Sequence, residues 1–261
     1  MDIGKNIYIS IMCGQLFKII RKHGVKCQFG STPGVGCQDS TFTTNTLLHI
    51  RHNHNLPTWA QFAYLVKAFD TSNHALLIAI LGKYGAPPRL FSAIKHMYYK
   101  SIVKLIIVKV ETYIDFKVGV KQEDSMALVL YLFLMMAFSE TLEYKWKDLR
   151  LSKPQFARKE NSPRSTGELV IHRTVTFSSG TLSDLFFVIY VDDSTFVSES
   201  RTDTKRGISG LSDHSAHFGH KIHIGAEKNP LKTQCVFFPP PGFFHTQTLL
   251  LPYLTNSNLA L

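Results

Sequence analysis

Apolar residues along the chain fall into short clusters of changing period, and these predict helices alternating with hairpins. Within residues 9–23, Ile11, Leu16, Ile19 and Ile20 recur at roughly helical spacing, and Gly24 is placed to end that helix. The glycine-rich stretch from Gln28 to Gly36 reads as loop. Residues 41–53 read as a second helix, and 62–66 as a short β-prone run. Residues 73–84 have the pattern of a helix, with Ser72 or Asn73 as N-cap and Gly85 as terminator. Pro87-Pro88 opens another helix at the position where proline is tolerated, running to about Lys100. The β-branched runs 102–110 and 113–120 predict a hairpin, and the apolar run 126–138 a buried helix. From 145 to 180 the chain turns polar, with a Ser/Pro/Arg-rich centre, and reads as an insertion. Residues 185–191 and 195–197 flank Asp192-Asp193-Ser194, the pattern of a β-hairpin with acids at its tip. A helix over 203–218, weakened by Gly207 and Gly210, and a strand over 232–238 complete the pattern. Helices and hairpins in this order predict an α+β fold, with helices on one face of an antiparallel sheet.

Composition narrows the function classes. The 261 residues are 44% hydrophobic, enough for one sizeable core or one core plus a small subdomain. Lys and Arg number 29 against 19 Asp and Glu, a formal charge of +10. That excess suits a polyanionic partner, since phosphate contacts supply most nonspecific nucleic-acid affinity; it equally suits a basic soluble protein. Cys13, Cys27, Cys37 and Cys235 form no C-x-x-C pair, neither a zinc-knuckle pattern nor a disulfide framework. A reducing compartment, cytoplasmic or nuclear, is therefore expected, and no basic-then-apolar leader points to secretion. The apolar run 126–138 falls short of the roughly 20 residues that span a bilayer, so no membrane is expected.

Candidate chemistry centres on Tyr190-Val191-Asp192-Asp193. Adjacent carboxylates at a hairpin tip repel each other, and a divalent cation relieves that repulsion: Mg²⁺ takes one or two protein carboxylates plus substrate phosphates. Asp-Asp-Ser is also a good turn sequence, so the motif in isolation is ambiguous. Its neighbours are more specific. Upstream lie Leu65-Val66-Lys67-Ala68-Phe69-Asp70, His74 and Lys83-Tyr84-Gly85-Ala86-Pro87-Pro88. Gly119-Val120-Lys121-Gln122 and the apolar helix follow, and Lys232-Thr233 lies downstream. In this order, with Cys27-Gln28-Phe29-Gly30 and Pro33-Gly34 before them, the segments resemble the polymerase motifs of LINE-type (non-LTR) retrotransposon reverse transcriptases, over roughly residues 2–244.

The resemblance implies a right-hand polymerase palm in which three carboxylates hold two Mg²⁺ ions for template-primed dNTP addition. Asp192 and Asp193 match two of them. It also implies substrate contacts at Tyr190, Lys121 and Gln122; the latter two also read as solvated strand-end residues. Phe69 matches the bulky residue that excludes a ribose 2′-hydroxyl, or is core packing. Lys232 matches a lysine that assists the leaving pyrophosphate, or is simply solvated. The implied partners are an RNA template, a DNA primer and a dNTP. The implied layout is partial fingers over 1–60, palm over 61–238 and a tail over 239–261, with no thumb.

Two departures stand out. The family pattern Phe-x-Asp-Leu-x-Lys-Ala-Phe-Asp reads Phe62-Ala63-Tyr64-Leu65-Val66-Lys67-Ala68-Phe69-Asp70 here, with Tyr64 at the metal-binding acid. An uncharged phenol is a poor Mg²⁺ ligand. Asp70 lies six residues further on and matches a different position, so it is not a substitute. In the second motif, Glu123 stands where the family has glycine and Ala127 where it has proline, and Glu123 adds negative charge where phosphates pass. A weakened or inactive RNA-directed DNA polymerase is expected, with a non-catalytic basic nucleic-acid-binding remnant as the alternative. Group II intron maturases and viral RNA polymerases share the palm logic, but the fingers and Lys-Ala-Phe-Asp segments favour the LINE-type resemblance. His214, His217, His220 and His223 recur every third residue like a metal face, but Gly219 interrupts them and no acid or Cys is spaced to complete a shell.

Overall fold

A computed structural model describes residues 3–24, 27–98, 102–108, 110–115, 117–120, 125–151, 155–158, 169–170, 181–184, 187–223 and 232–242. The chain opens with helices α1 (Ile3–His23) and α2 (Cys37–Asn53), then strand β1 (Thr58–Ala63). Helices α3 (His74–Lys83) and α4 (Pro88–Tyr98) precede the hairpin of β2 (Ile102–Ile107) and β3 (Val110–Asp115). The long helix α5 (Ser125–Asp148) is followed by β4 (Gln155–Arg158), β5 (Leu169–Val170) and β6 (Thr181–Asp184). Strands β7 (Phe187–Tyr190) and β8 (Asp193–Ser198), helix α6 (Arg201–His217) and strand β9 (Gln234–Phe238) complete the order.

Local chemistry accounts for most of these boundaries. Asn73 caps α3 by accepting from the Leu76 N–H at 3.1 Å, and Gly85 turns the chain beyond it at φ +74°. Gly24 does not adopt a left-handed conformation. It is needed for space, because a Cβ there would lie 2.4 Å from the Ile20 carbonyl oxygen. The buried stripe of α1 is Ile9, Met12, Cys13, Leu16 and Ile20, while Ile11 faces solvent, contrary to the expected face. Helix α5 continues ten residues past Phe138 because Leu142 and Trp146 extend its buried stripe. By length and composition α5 could cross a membrane, but 72% of its most apolar window is buried within the protein, as in a core helix. Strand β1 begins four residues before the run 62–66 that sequence favours and ends within it, at Ala63; Leu65 is buried beyond that end, so apolarity there marks the core rather than extended structure.

Two compact units divide the chain, each assembled from separated segments. The first comprises Met1–Lys26, Leu65–Leu142 and His214–Lys221. Its buried residues include Leu16, Leu77, Leu81, Ile94, Leu130, Phe133 and Phe138. The second comprises Cys27–Tyr64, Glu143–Asp213 and Ile222–Leu261, and holds an antiparallel sheet in the order β7-β8-β1-β9. One face of that sheet is helix-covered: Trp146 packs edge-on against Phe187 and Phe196, and Gln61 Nε2 donates to the Thr204 carbonyl of α6 at 3.2 Å. Gly210 lets α6 approach, since a Cβ there would come within 3.0 Å of Leu149 Cδ1. A small three-stranded sheet, β5-β4-β6, forms within and just beyond the stretch expected to be an insertion.

Candidate active site

Register places the candidate residues on the sheet face away from those helices. Tyr190 pairs with Asp193, Ala63 with Ser194 and Phe62 with Gln234. Extending the same register sets Tyr64 beside Asp193 on one side and Lys232 on the other. Directly opposed residues of an antiparallel pair share a face, so Tyr190, Asp193, Tyr64 and Lys232 form one row. Strand β1 is the centre of that row, and its backbone is tied at the row itself. The Tyr64 N–H donates to Thr233 Oγ1 at 3.2 Å, and its carbonyl accepts from the His223 N–H at 2.8 Å.

Lys232 sits with its ammonium 4.4 Å from the centre of the Tyr64 ring. This is cation–π geometry. The position where the resemblance puts a third carboxylate therefore holds an aromatic ring with a positive charge on its face. His223 packs edge-on to the same ring at 6.1 Å.

Tyr190 and Asp193 are joined by the two-residue loop Val191–Asp192. Such loops favour Asn-Gly or Gly-x, because the first loop residue takes a positive φ. Val191 takes it at φ +61°. For a β-branched residue this is strained, at about 1–3 kcal/mol. The tip is held by a segment distant in sequence. Gln28 Oε1 accepts from the Val191 N–H at 3.0 Å, and Gln28 Nε2 donates to the Val191 carbonyl at 3.3 Å. The Gly30 N–H also donates to Gln28 Oε1, at 2.9 Å. Phe29 N–H donates to the Ile189 carbonyl and Ile189 N–H to the Cys27 carbonyl, each at 2.8 Å, so this segment covers the outer edge of β7.

The electrostatics at the tip favour a cation. Burial pushes the Asp192 carboxyl above the ordinary carboxylate range, and the neighbouring Asp193 raises it further, partly offset by a backbone hydrogen bond. Asp192 and Asp193 are the two residues here that could hold a divalent ion completed by phosphate or water oxygens. They do not make the three-carboxylate set for an ion pair, because Tyr64 stands in the third place. Among the described residues no three His, Cys, Asp or Glu side chains gather as metal ligands. The histidine series takes divergent partners. His214 Nε2 lies 3.0 Å from the Phe138 carbonyl, and His220 Nδ1 lies 2.8 Å from Thr71 Oγ1.

The sheet thus brings together Tyr190, Asp192, Asp193 and Lys232. Phe69 belongs to the first unit, where its ring stacks on Tyr131 at 4.4 Å and 26°. Lys121, Gln122 and Glu123 lie outside the described residues. Sequence reading placed Gln28 and Gly30 in a loop and missed their hold on the hairpin. The available signal was Val191 itself, a β-branched residue where a two-residue loop calls for glycine or asparagine.

No family model matches the chain, and no curated protein resembles it in sequence. Solved structures do resemble it in fold. Telomerase from Candida tropicalis, in complex with a TWJ fragment of telomeric RNA, superposes with a TM-score of 0.58 at 10% identity, over 88% of this chain and 33% of that one. Telomerase from Candida albicans, with the same kind of RNA fragment, gives 0.55 at 11% identity, over 87% and 33%. An apo Candida tropicalis telomerase truncated from its C-terminal domain gives 0.54 at 10%, over 88% and 40%. At such identities the likeness is one of fold, and the chain spans a third to two-fifths of the telomerase chains it matches. The fold is reverse-transcriptase-like.

Proposed function

We propose that this protein is an RNA-directed DNA polymerase by descent, of the LINE-type retroelement class, whose nucleotidyl transfer is impaired at Tyr64. The observation that carries this reading is the row Asp193–Tyr64–Lys232 that the sheet register sets up, with Lys232 on the Tyr64 ring and Asp192 at the adjacent tip. On this reading Asp192 and Asp193 hold Mg²⁺. When bound, the ion would supply charge neutralisation for an incoming dNTP and acidify the primer 3′-hydroxyl. Asp192 and Asp193 would hold the ion, and Tyr190, next to Asp193 in the register, would contact substrate. Lys232 is the lysine that would meet the leaving pyrophosphate, but its ammonium lies over the Tyr64 ring. Tyr64 leaves the site one carboxylate short, which costs transition-state stabilisation rather than template binding. An RNA template and DNA primer put such work inside the cell, in the cytoplasm or nucleus.

Mg²⁺-dependent dTTP incorporation on poly(rA)/oligo(dT) tests the reading. The protein should extend the primer barely above its Asp192→Ala variant, and the double reversion Tyr64→Asp with Glu123→Gly should raise extension. Robust incorporation by the unaltered chain, lost in Asp192→Ala, would show that another group supplies the missing ligand. No gain from the double reversion would count against impairment at these positions.

A second reading, a non-catalytic nucleic-acid-binding protein, is favoured by the Lys232–Tyr64 pair together with the net charge of +10. An aromatic ring and a cation side by side at the end of the sheet suit stacking and phosphate contact without metal chemistry.

A further inference from the structure

Val191 at φ +61° presents a mechanical problem that the hairpin alone does not solve. Its strands are short: β7 contributes four residues, and the register closes at Tyr190–Asp193 immediately beside the loop. A valine free to choose would leave the left-handed region, and Asp192 and Asp193, the next two residues, would turn with it. At Val191 itself, what opposes this is the Gln28 side chain. Gln28 is buried and engages both backbone groups of Val191, accepting at 3.0 Å and donating at 3.3 Å. Its oxygen is itself fixed by the Gly30 N–H at 2.9 Å, and its backbone carbonyl by Thr32 Oγ1 at 3.1 Å. Gly30 is shaped to the same contact, because a Cβ there would lie 2.4 Å from the Val191 nitrogen and 2.8 Å from the Tyr190 carbonyl carbon.

We infer that Gln28 is a positioning residue for the Asp192–Asp193 pair: its carboxamide holds Val191 in the left-handed conformation that fixes where both carboxylates stand. The inference rests on the reading of those carboxylates as a divalent-ion site. Asparagine is one methylene too short to reach both backbone groups. Glutamate keeps the acceptor, loses the donor to the Val191 carbonyl and adds charge beside two acids. Glycine at 191 takes the left-handed region without strain, so it removes the need for the clamp while supplying no contact of its own.

The test is Mn²⁺ titration of the full chain followed by electron paramagnetic resonance, with Asp192→Ala to assign the bound signal. Gln28→Ala should weaken Mn²⁺ binding about tenfold while cooperative melting is retained, and Gln28→Asn should not rescue it. The pair Gln28→Ala/Val191→Gly should return to within about threefold of Val191→Gly alone, a recovery that a merely structural role for Gln28 would not produce. Amide hydrogen exchange at Val191, read on the same samples, should be slow in the unaltered chain and fast in Gln28→Ala. Unchanged Mn²⁺ affinity in a folded Gln28→Ala, failure of the glycine rescue, or slow exchange at Val191 without Gln28 each overturns the inference. If the unaltered chain shows no Mn²⁺ signal sensitive to Asp192→Ala, the ion-site reading fails instead. The exchange rates alone then decide whether Gln28 holds the tip.

Discussion

Asp192 is half-buried at the tip of the β7–β8 hairpin with another carboxylate next to it, and both circumstances disfavour its charged form. A carboxyl whose folded-state pKa is raised binds its proton more tightly in the native protein, so its contribution to stability falls as pH rises past the unfolded value near 3.8. Asp192→Asn should therefore melt at a higher temperature than the unaltered chain at pH 7. The gain should shrink as pH is lowered and vanish below about 3.8, and saturating Mg²⁺ should reduce it at pH 7 by stabilising only the unaltered chain. Thermal melts across that pH range, with and without Mg²⁺, check the prediction; an Asn variant less stable at neutral pH would contradict it. At this scale the sequence is informative about chemistry and silent about support. Tyr190, Asp192, Asp193, Tyr64 and Lys232 could be named from their motifs, because residue type alone carries charge and ligand character. Gln28 could not, because its partner is a backbone 163 positions away and an amide side chain has no fixed role.

A second side chain tying distant segments to the sheet is Arg51, 1% exposed near the end of α2. Its Nε donates to Thr58 Oγ1 at 2.7 Å, one terminal nitrogen to Glu199 Oε1 at 2.8 Å and the other to the Pro57 carbonyl at 2.8 Å. One residue thus joins α2 to the start of β1 and the end of β8. Arg51 is buried while Glu199 is only partly so, and losing its charge-assisted hydrogen bonds means that Arg51→Ala should cost about 1.5–3 kcal/mol of unfolding free energy. Arg51→Lys should rescue little, since an ammonium cannot reproduce three directed contacts. Urea denaturation measures both, and a loss below about 1 kcal/mol for the alanine variant would contradict this account. Elements were legible where a cap or a pattern is local: Asn73 and Gly85 bracket α3, and the proline pair opens α4. Boundaries were lost where burial rather than period decides. Leu65 belongs to the β-prone run 62–66 but is buried past the end of β1, and Val108 turns the β2–β3 hairpin at φ +46° without a glycine to announce it.

For the molecule as a whole, an excess of 29 cationic over 19 acidic side chains predicts binding to nucleic acid that weakens steeply with salt. Filter binding of an RNA–DNA template-primer across a salt series should give a log–log slope steeper than about −3, corresponding to several neutralised phosphates. A flat response would remove both the polymerase and the binding-only readings. The α+β class and the antiparallel sheet were legible from the alternation of helices and hairpins, and the reverse-transcriptase-like fold is shared with telomerase structures at 10–11% identity. The interleaving of the two compact units was not legible, because it depends on which distant segments close on each other, a choice that local periodicity does not encode.

Tyr64 separates an impaired polymerase from a binding protein, and its reversion is the measurement that bears most directly on the proposal. Primer extension by Tyr64→Asp should exceed that of the unaltered chain by on the order of a hundredfold, about 3 kcal/mol of transition-state stabilisation, and Asp192→Ala in the same background should abolish the gain. Equal extension by both chains, with template-primer binding intact, would contradict the account and leave nucleic-acid binding as the protein's function.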